Sequence, residues 1–145
     1  MLEHAQITAA YGRRYTVRTD AGTFYEASTR SKRTDFTCGD FVEIRILNGE
    51  QAVIENLLPR QSLLYRQDAW KSKLIAANAT QLFIVTAAVP TPSEALLQRA
   101  LIAAEAAAIR PVILLNKTDL PETATLAETL AFYETLDYPV ITQSA

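Results

Sequence analysis

Glycine is scarce in this chain, and all four, Gly12, Gly22, Gly39 and Gly49, lie in its first half. No G-x-x-x-x-G-K-[ST] loop can therefore occur in the second half. With it go the backbone amides, the lysine and the magnesium-binding hydroxyl that stabilise phosphoryl transfer, so no catalytic residue is assigned. Cys38 is the only cysteine, which excludes an internal disulfide, and with His4 as the only histidine no Cys/His metal cluster can be assembled; no metal site is expected. Neither residue has a neighbour that would activate a thiol or complete a triad, and both read as structural. Long apolar runs are also lacking. Nothing approaches the roughly 18 to 20 residues of a membrane span, and Met1 to Gln6 has no signal-peptide core, so a cytoplasmic location without a membrane partner is expected. Charge of one sign is not in excess: residues 1–67 carry nine Lys/Arg against eight Asp/Glu and residues 68–145 five against eight, a contrast too small to name a partner. What is present is a 49% apolar, 21% charged composition, which places the chain among folded rather than disordered sequences.

The first half alternates between short β-prone runs and turn residues: Gln6 to Ala10, Tyr15 to Thr19, Thr23 to Ala27, Phe41 to Leu47 and Ala52 to Leu57. In the fourth run Val42, Ile44 and Ile46 share one face while Phe41, Glu43, Arg45 and Leu47 share the other, as in a half-buried strand. Asp20-Ala21-Gly22 predicts a tight hairpin, and Asn48-Gly49 a type I′ turn. Five strands in so short a stretch suit a closed OB-type barrel, because closure removes edges. Arg30, Lys32 and Arg33 crowd the loop between the third and fourth strands. They suit phosphate neutralisation, and they suit equally a solvated loop. Arg13-Arg14 beside Tyr11 and Tyr15 offers cations and stacking surfaces for single-stranded nucleic acid; packing of the tyrosines into the barrel is the competing reading.

After Pro59-Arg60 the pattern changes, and the strand alternation ends. Leu82 to Val85 is a continuous apolar run. Ser93 is placed to cap a helix whose Leu96, Leu97, Ala100, Leu101 and Ala104 form one stripe, running to about Ile109. Val112 to Leu115 is a second buried run, Glu122 to Leu136 a second helix with Leu126, Leu130 and Tyr133 on one face, and Pro139 to Thr142 a third strand. Strand, helix, strand, helix, strand predicts a parallel sheet with crossover helices, incomplete as an α/β domain.

Asn116, Lys117, Thr118 and Asp119 follow the middle strand at its carboxyl end, where open α/β sheets bind ligands. Guanine presents a ring N–H beside an exocyclic amine, and one carboxylate such as Asp119 accepts both; adenine cannot match it. Lys117 offers a stem to lie along a base, Asn116 both donors and an acceptor, and Thr118 mainly backbone geometry. The backbone N–H of Ala145, at the end of the third strand, is expected to face the guanine carbonyl, with Ser144 ordering the turn. The competing reading makes the tetrapeptide a polar turn, with Asp119 capping the helix that follows.

These residues resemble the family of bacterial ribosome small-subunit-dependent GTPase A, a circularly permuted GTPase. The resemblance rests on Tyr11-Gly12-Arg13, Gly39-Asp40, Pro59-Arg60, Leu63 to Arg66, Ala76-Ala77-Asn78, Gln81 and Asn116 to Leu120. It implies a mixed fold, with an OB-fold RNA-binding domain over residues 1–67 and, over residues 68–145, the first part of a permuted P-loop-type GTPase domain. It also implies a GTP-binding and GTP-hydrolysing parent that assists late maturation of the small ribosomal subunit. The guanine motif falls on Asn116, Lys117, Thr118 and Asp119, the second guanine element on Ser144 and Ala145, and the rRNA-facing cations on Arg13, Arg30, Lys32 and Arg33. The phosphate loop, magnesium site and zinc-binding domain of the family are expected beyond Ala145, so this segment alone is expected to be inactive. The alternative is a non-enzymatic OB-type RNA-binding module.

Overall fold

The computed structural model describes residues 1–33 and 35–145. The chain divides into two compact units, Met1–Ala79 and Thr80–Ala145.

In the first unit, β1 (Glu3–Tyr11), β2 (Arg14–Thr19), β3 (Phe24–Thr29), β4 (Phe41–Ile46) and β5 (Gln51–Leu57) form a closed barrel in the order β1-β2-β3-β5-β4. All pairings are antiparallel except β3 with β5, and β4 returns to β1 to remove the last edge. The period-two pattern sets the core: Tyr15 and Val17 of β2 and Val42 and Ile44 of β4 point inward and pack with Ile7 and Ile54. Each such burial stabilises by roughly 1.5–3 kcal/mol. The Asp20–Gly22 hairpin closes as expected, with Gly22 at φ +87° and its amide donating to Thr19 O. The Asn48-Gly49 turn does not take the type I′ form, since neither residue has positive φ. Instead Asn48 Oδ1 accepts the amides of Glu50 and Gln51, each at 2.9 Å, so the side chain closes the turn in place of backbone strain.

A further hairpin, unforeseen in the sequence, follows the barrel: β6 (Leu63–Gln67) pairs antiparallel with β7 (Ser72–Ala77). The boundary expected after Gln67 would cut through it. The division falls later because β7 is bonded to the barrel's long loop. Ala77 N donates to Cys38 O, Thr37 Oγ1 to Ile75 O, and Asn78 Nδ2 to Gly39 O. Gly39 is required at that crossing: its φ is +91°, and a Cβ there would stand 2.0 Å from Ala77 O. Beside it, Asp40 is fully buried and receives Arg60 through two bonds, Nε to Oδ1 at 2.7 Å and Nη2 to Oδ2 at 2.8 Å. Arg60 also donates to Asp35 O, and Thr37 N donates to Asp40 Oδ2.

In the second unit, β8 (Gln81–Thr86), β9 (Arg110–Leu115) and β10 (Val140–Thr142) make a parallel sheet in the order β10-β9-β8. Helix α1 (Glu94–Ala106) starts where Ser93 Oγ accepts Leu96 N, and it ends before Ala108, at φ +56°. Helix α2 (Thr123–Glu134) lies on the same sheet face: Leu97 and Leu101 of α1 and Leu130 and Tyr133 of α2 join Ile113 and Leu115 in one cluster. Leu96, expected on the buried stripe, is exposed, because the stripe runs through Leu97, Leu101 and Ala104. On the opposite face Phe83 (51% exposed) and Val85 (62%) remain open.

Removing one partner of a buried, hydrogen-bonded ion pair strands the other charge, at a cost of about 3–5 kcal/mol. We expect Arg60→Ala to lower barrel stability by about 3 kcal/mol in denaturant unfolding followed on the first unit's tyrosines. A loss below about 1 kcal/mol would show that Asp40 finds other donors.

Candidate functional site

The parallel register ends the three strands in one row, Thr86 beside Leu115 and Leu115 beside Thr142. The segments that continue from them meet at the sheet's carboxyl edge. Asn116 N donates to Thr86 O at 2.8 Å, Gln143 N to Leu115 O at 2.9 Å, and Thr118 sends both its amide (3.2 Å) and its hydroxyl (3.0 Å) to Gln143 O. Lys117 takes φ +57°, and its carbonyl accepts the Thr123 hydroxyl at 2.9 Å. Thus the loop is tied to the ends of both neighbouring strands and to the first residue of α2.

On this frame Ser144 Oγ donates to Asp119 Oδ1 at 2.7 Å, and Ala145 N donates to Asn116 Oδ1 at 3.2 Å. The six residues singled out in the sequence, Asn116 to Asp119 with Ser144 and Ala145, are therefore brought together. Asp119 does not cap α2. That helix begins behind Glu122 without a side-chain cap bond, which removes the polar-turn reading in its capping form. Among the described residues Asp119 Oδ2 receives no hydrogen bond from another residue, so one carboxylate oxygen is free to accept. Chiefly the Ser144 hydroxyl, then Asp119's own amide, hold the carboxyl below its ordinary range, and Lys117 adds a smaller effect in the same direction.

One detail differs from expectation, and two more describe the site's free state. The Ala145 amide donates to the Asn116 carboxamide oxygen, so in this conformation it is not free to donate to a guanine carbonyl. The Lys117 ammonium turns back to Val89 O at 2.9 Å, fixing its stem against the loop after β8. Asp119 is exposed, so its carboxylate is open to water in the free chain. A hollow of about 350 Å³, walled by the 89–93 loop and floored by Asn116 and Lys117, adjoins the site. The sequence did not mark this loop; its only signal was Pro90 and Pro92.

The basic residues fare differently. Arg13 is exposed on the turn that Gly12 opens at φ +64°, and Lys32 is exposed. Arg30, however, lies 3.1 Å from Glu55, which Arg45 also holds at 2.9 Å. Arg33 is bound by both oxygens of Asp35 (3.0 and 2.7 Å) and sits over the Phe36 ring. Two of the four RNA-facing candidates are thus already paired. The β6–β7 hairpin supplies cations that the sequence reading passed over. Asp68 Oδ1 accepts the amides of Trp70 and Lys71, shaping a turn that leaves Trp70 92% exposed between Arg66 and the pair Lys71 and Lys73.

The chain combines a closed five-stranded barrel with a three-stranded parallel sheet whose connecting segments converge at the sheet's carboxyl edge. The chain superimposes on the crystal structure of YloQ, described as a circularly permuted GTPase, with a TM-score of 0.70 at 24% identity over 100% of this chain and 52% of that one. For YjeQ from Thermotoga maritima the TM-score is 0.75 at 24% identity, over 99% and 52%. The family model described as RsgA GTPase matches residues 57–145, and the chain belongs to that family. It is 74% identical over 141 residues to the small ribosomal subunit biogenesis GTPase RsgA of Neisseria meningitidis and 48% identical over 144 residues to that of Nitrosomonas europaea. Each match covers 97% of this chain, which spans 46% of either relative's length.

A folded-state pKa below the usual carboxylate value keeps Asp119 ionised, and its bond from Ser144 intact, as pH falls through the ordinary titration range; the bond is lost only as pH passes the lowered value. Ser144→Ala should move the Asp119 titration upward, toward the unperturbed range, in a carbon-detected NMR pH series. An unmoved midpoint would show that the hydroxyl does not hold the carboxylate in solution.

Proposed function

We propose that this chain supplies the guanine-reading loops and an RNA-facing barrel to a cytoplasmic GTPase that assists maturation of the small ribosomal subunit. The observation that carries this reading is the convergence of Asp119, Asn116, Ser144 and Ala145 at the ends of β9 and β10, with one Asp119 oxygen free. A guanine edge offers its ring N–H and amine to that carboxylate, an ionised acceptor pair that strengthens both bonds. Ser144 orients the carboxylate, Lys117 lays its stem beside the base plane, and Thr118 fixes the loop to β10. GTP supplies the phosphates and the bond to be cleaved. On this reading the groups that cradle and cleave it, with magnesium, and a zinc-binding domain are supplied from outside this segment, which alone binds a base without hydrolysis.

The partners follow from charge and exposure. Arg13 and Lys32 on the barrel, with Arg66, Lys71 and Lys73 on the hairpin, are placed to neutralise phosphates of ribosomal RNA, whereas Arg30 and Arg33 must first leave Glu55 and Asp35. The exposed Trp70 hairpin also gives substance to the second reading, a non-enzymatic RNA-binding module. GTP hydrolysis by the full-length protein that carries this segment, with and without small ribosomal subunits, separates the two. Stimulated hydrolysis, with preference moving to xanthosine triphosphate in Asp119→Asn, is the expected result. No hydrolysis under any condition would leave the RNA-binding module.

A further inference from the structure

Strand β8 leaves one edge of the parallel sheet unpaired. Thr80 O and Thr86 O accept Arg110 N and Asn116 N, so the even-numbered residues of β8 turn their backbone groups toward β9. The odd-numbered ones turn theirs outward. Among the described residues the N–H and C=O groups of Phe83 and Val85 meet no partner, and both side chains lie, more than half exposed, on the sheet face that α1 and α2 leave open. Sheet edges are ordinarily blunted by a lysine, a proline or a bulge, because an open row of donors and acceptors invites another strand. Gln81–Thr86 has none of these, and its six pairings with β9 run without a shift.

Charge narrows the occupant. No Asp, Glu, Lys, Arg or His lies between Lys73 and Glu94, so this edge offers nothing to a nucleic acid or to an acidic or basic segment. It is suited to itself. Two copies of one strand related by a twofold axis bring each charge close to its own like, and β8 has no charge to repel. The axis also restricts register, since residues directly opposite must share a sheet face; it has to pass through a residue rather than between two. With Ile84 on the axis, Phe83 of each copy stands opposite Val85 of the other, an aromatic against a β-branched side chain, and the outward backbone groups of both residues exchange ladder bonds. With Phe83 on the axis, Val85 would face the polar Gln81. A strand about 20 Å long covers less than the roughly 1,200 Å² of a tight interface, so such a dimer is weak and forms as concentration rises.

We infer that β8 pairs antiparallel with β8 of a second copy of this chain, with Ile84 on the twofold axis, so that two three-stranded sheets become one. The pairing is independent of the base-reading loops. Sedimentation equilibrium of the chain over about a hundredfold range of concentration tests it, because mass action draws out a weak dimer only at the upper end. The weight-average mass should rise from 16.0 kDa toward twice that value. Phe83→Glu and Val85→Lys should each hold the chain at the monomer mass, since each sets a charge against an apolar side chain of the second copy. Mixed in equal amounts, the two variants should regain the wild-type association, because the register with Ile84 on the axis sets the introduced carboxylate opposite the introduced ammonium. Both positions are exposed in the single chain, and unchanged far-ultraviolet circular dichroism would exclude unfolding as the cause of a loss. A wild type that stays monomeric throughout would overturn the proposal and leave the edge to a strand of a different protein. Variants that associate as the wild type does would overturn it too. Loss in the single variants without recovery in the mixture would overturn the register. None of these masses depends on nucleotide, so failure here leaves the guanine reading standing.

Discussion

The parallel pairing of β9 between β8 and β10 is the constraint on which the loop arrangement at the sheet's carboxyl edge depends. It brings Thr86, Leu115 and Thr142 into one row, so three chain segments leave the sheet at the same level. Once they do, short bonds complete the loop: Asn116 to β8, Gln143 to β9, and Thr118 to Gln143. Helices α1 and α2 press on one sheet face through Leu97, Leu101, Leu130 and Tyr133, and that cluster holds the strands in register. A slip of one residue would exchange Ile113 for its neighbours on the covered face and carry Asn116 away from Thr86. The position of an exposed loop is thus fixed by a buried row behind it.

The first unit solves a different problem by similar means. A barrel closed by β1 and β4 has no edge on which to build, so the hairpin that follows is attached through the loop before β4. The buried Asp40–Arg60 pair and the close crossing of Gly39 over Ala77 are costly features that serve this attachment. Their effect is to hold the hairpin, with its exposed Trp70 and flanking cations, in fixed relation to the barrel.

Much of the fold was legible from pattern. Alternation in Phe41 to Leu47 gave the faces of β4 correctly, and the capping serine and apolar periodicity gave α1 and α2 nearly to their ends. The hairpin was not legible because β6 and β7 bury little; their side chains are largely exposed, and a bulge between Leu64 and Tyr65 breaks the period of two. The pairing of Arg30 with Glu55 was equally invisible, since it follows from the parallel register that sets Thr29 beside Ile54. At the candidate site, the four-residue motif and its strand-end placement were readable. The engagement of Ala145 with Asn116, and of Lys117 with Val89, was not: both depend on loop paths set by positive φ at a lysine, which no residue preference announces.

That a guanine base is read by the loop joining Asn116, Asp119 and Ser144 is the central claim, and backbone NMR of this chain tests it without catalysis. Titration with guanosine diphosphate should shift the amides of Thr118, Asp119, Ser144 and Ala145, adenosine diphosphate should leave them in place, and Asp119→Asn should abolish the difference. Equal shifts from both nucleotides, or guanine-induced shifts confined to the barrel, would contradict it.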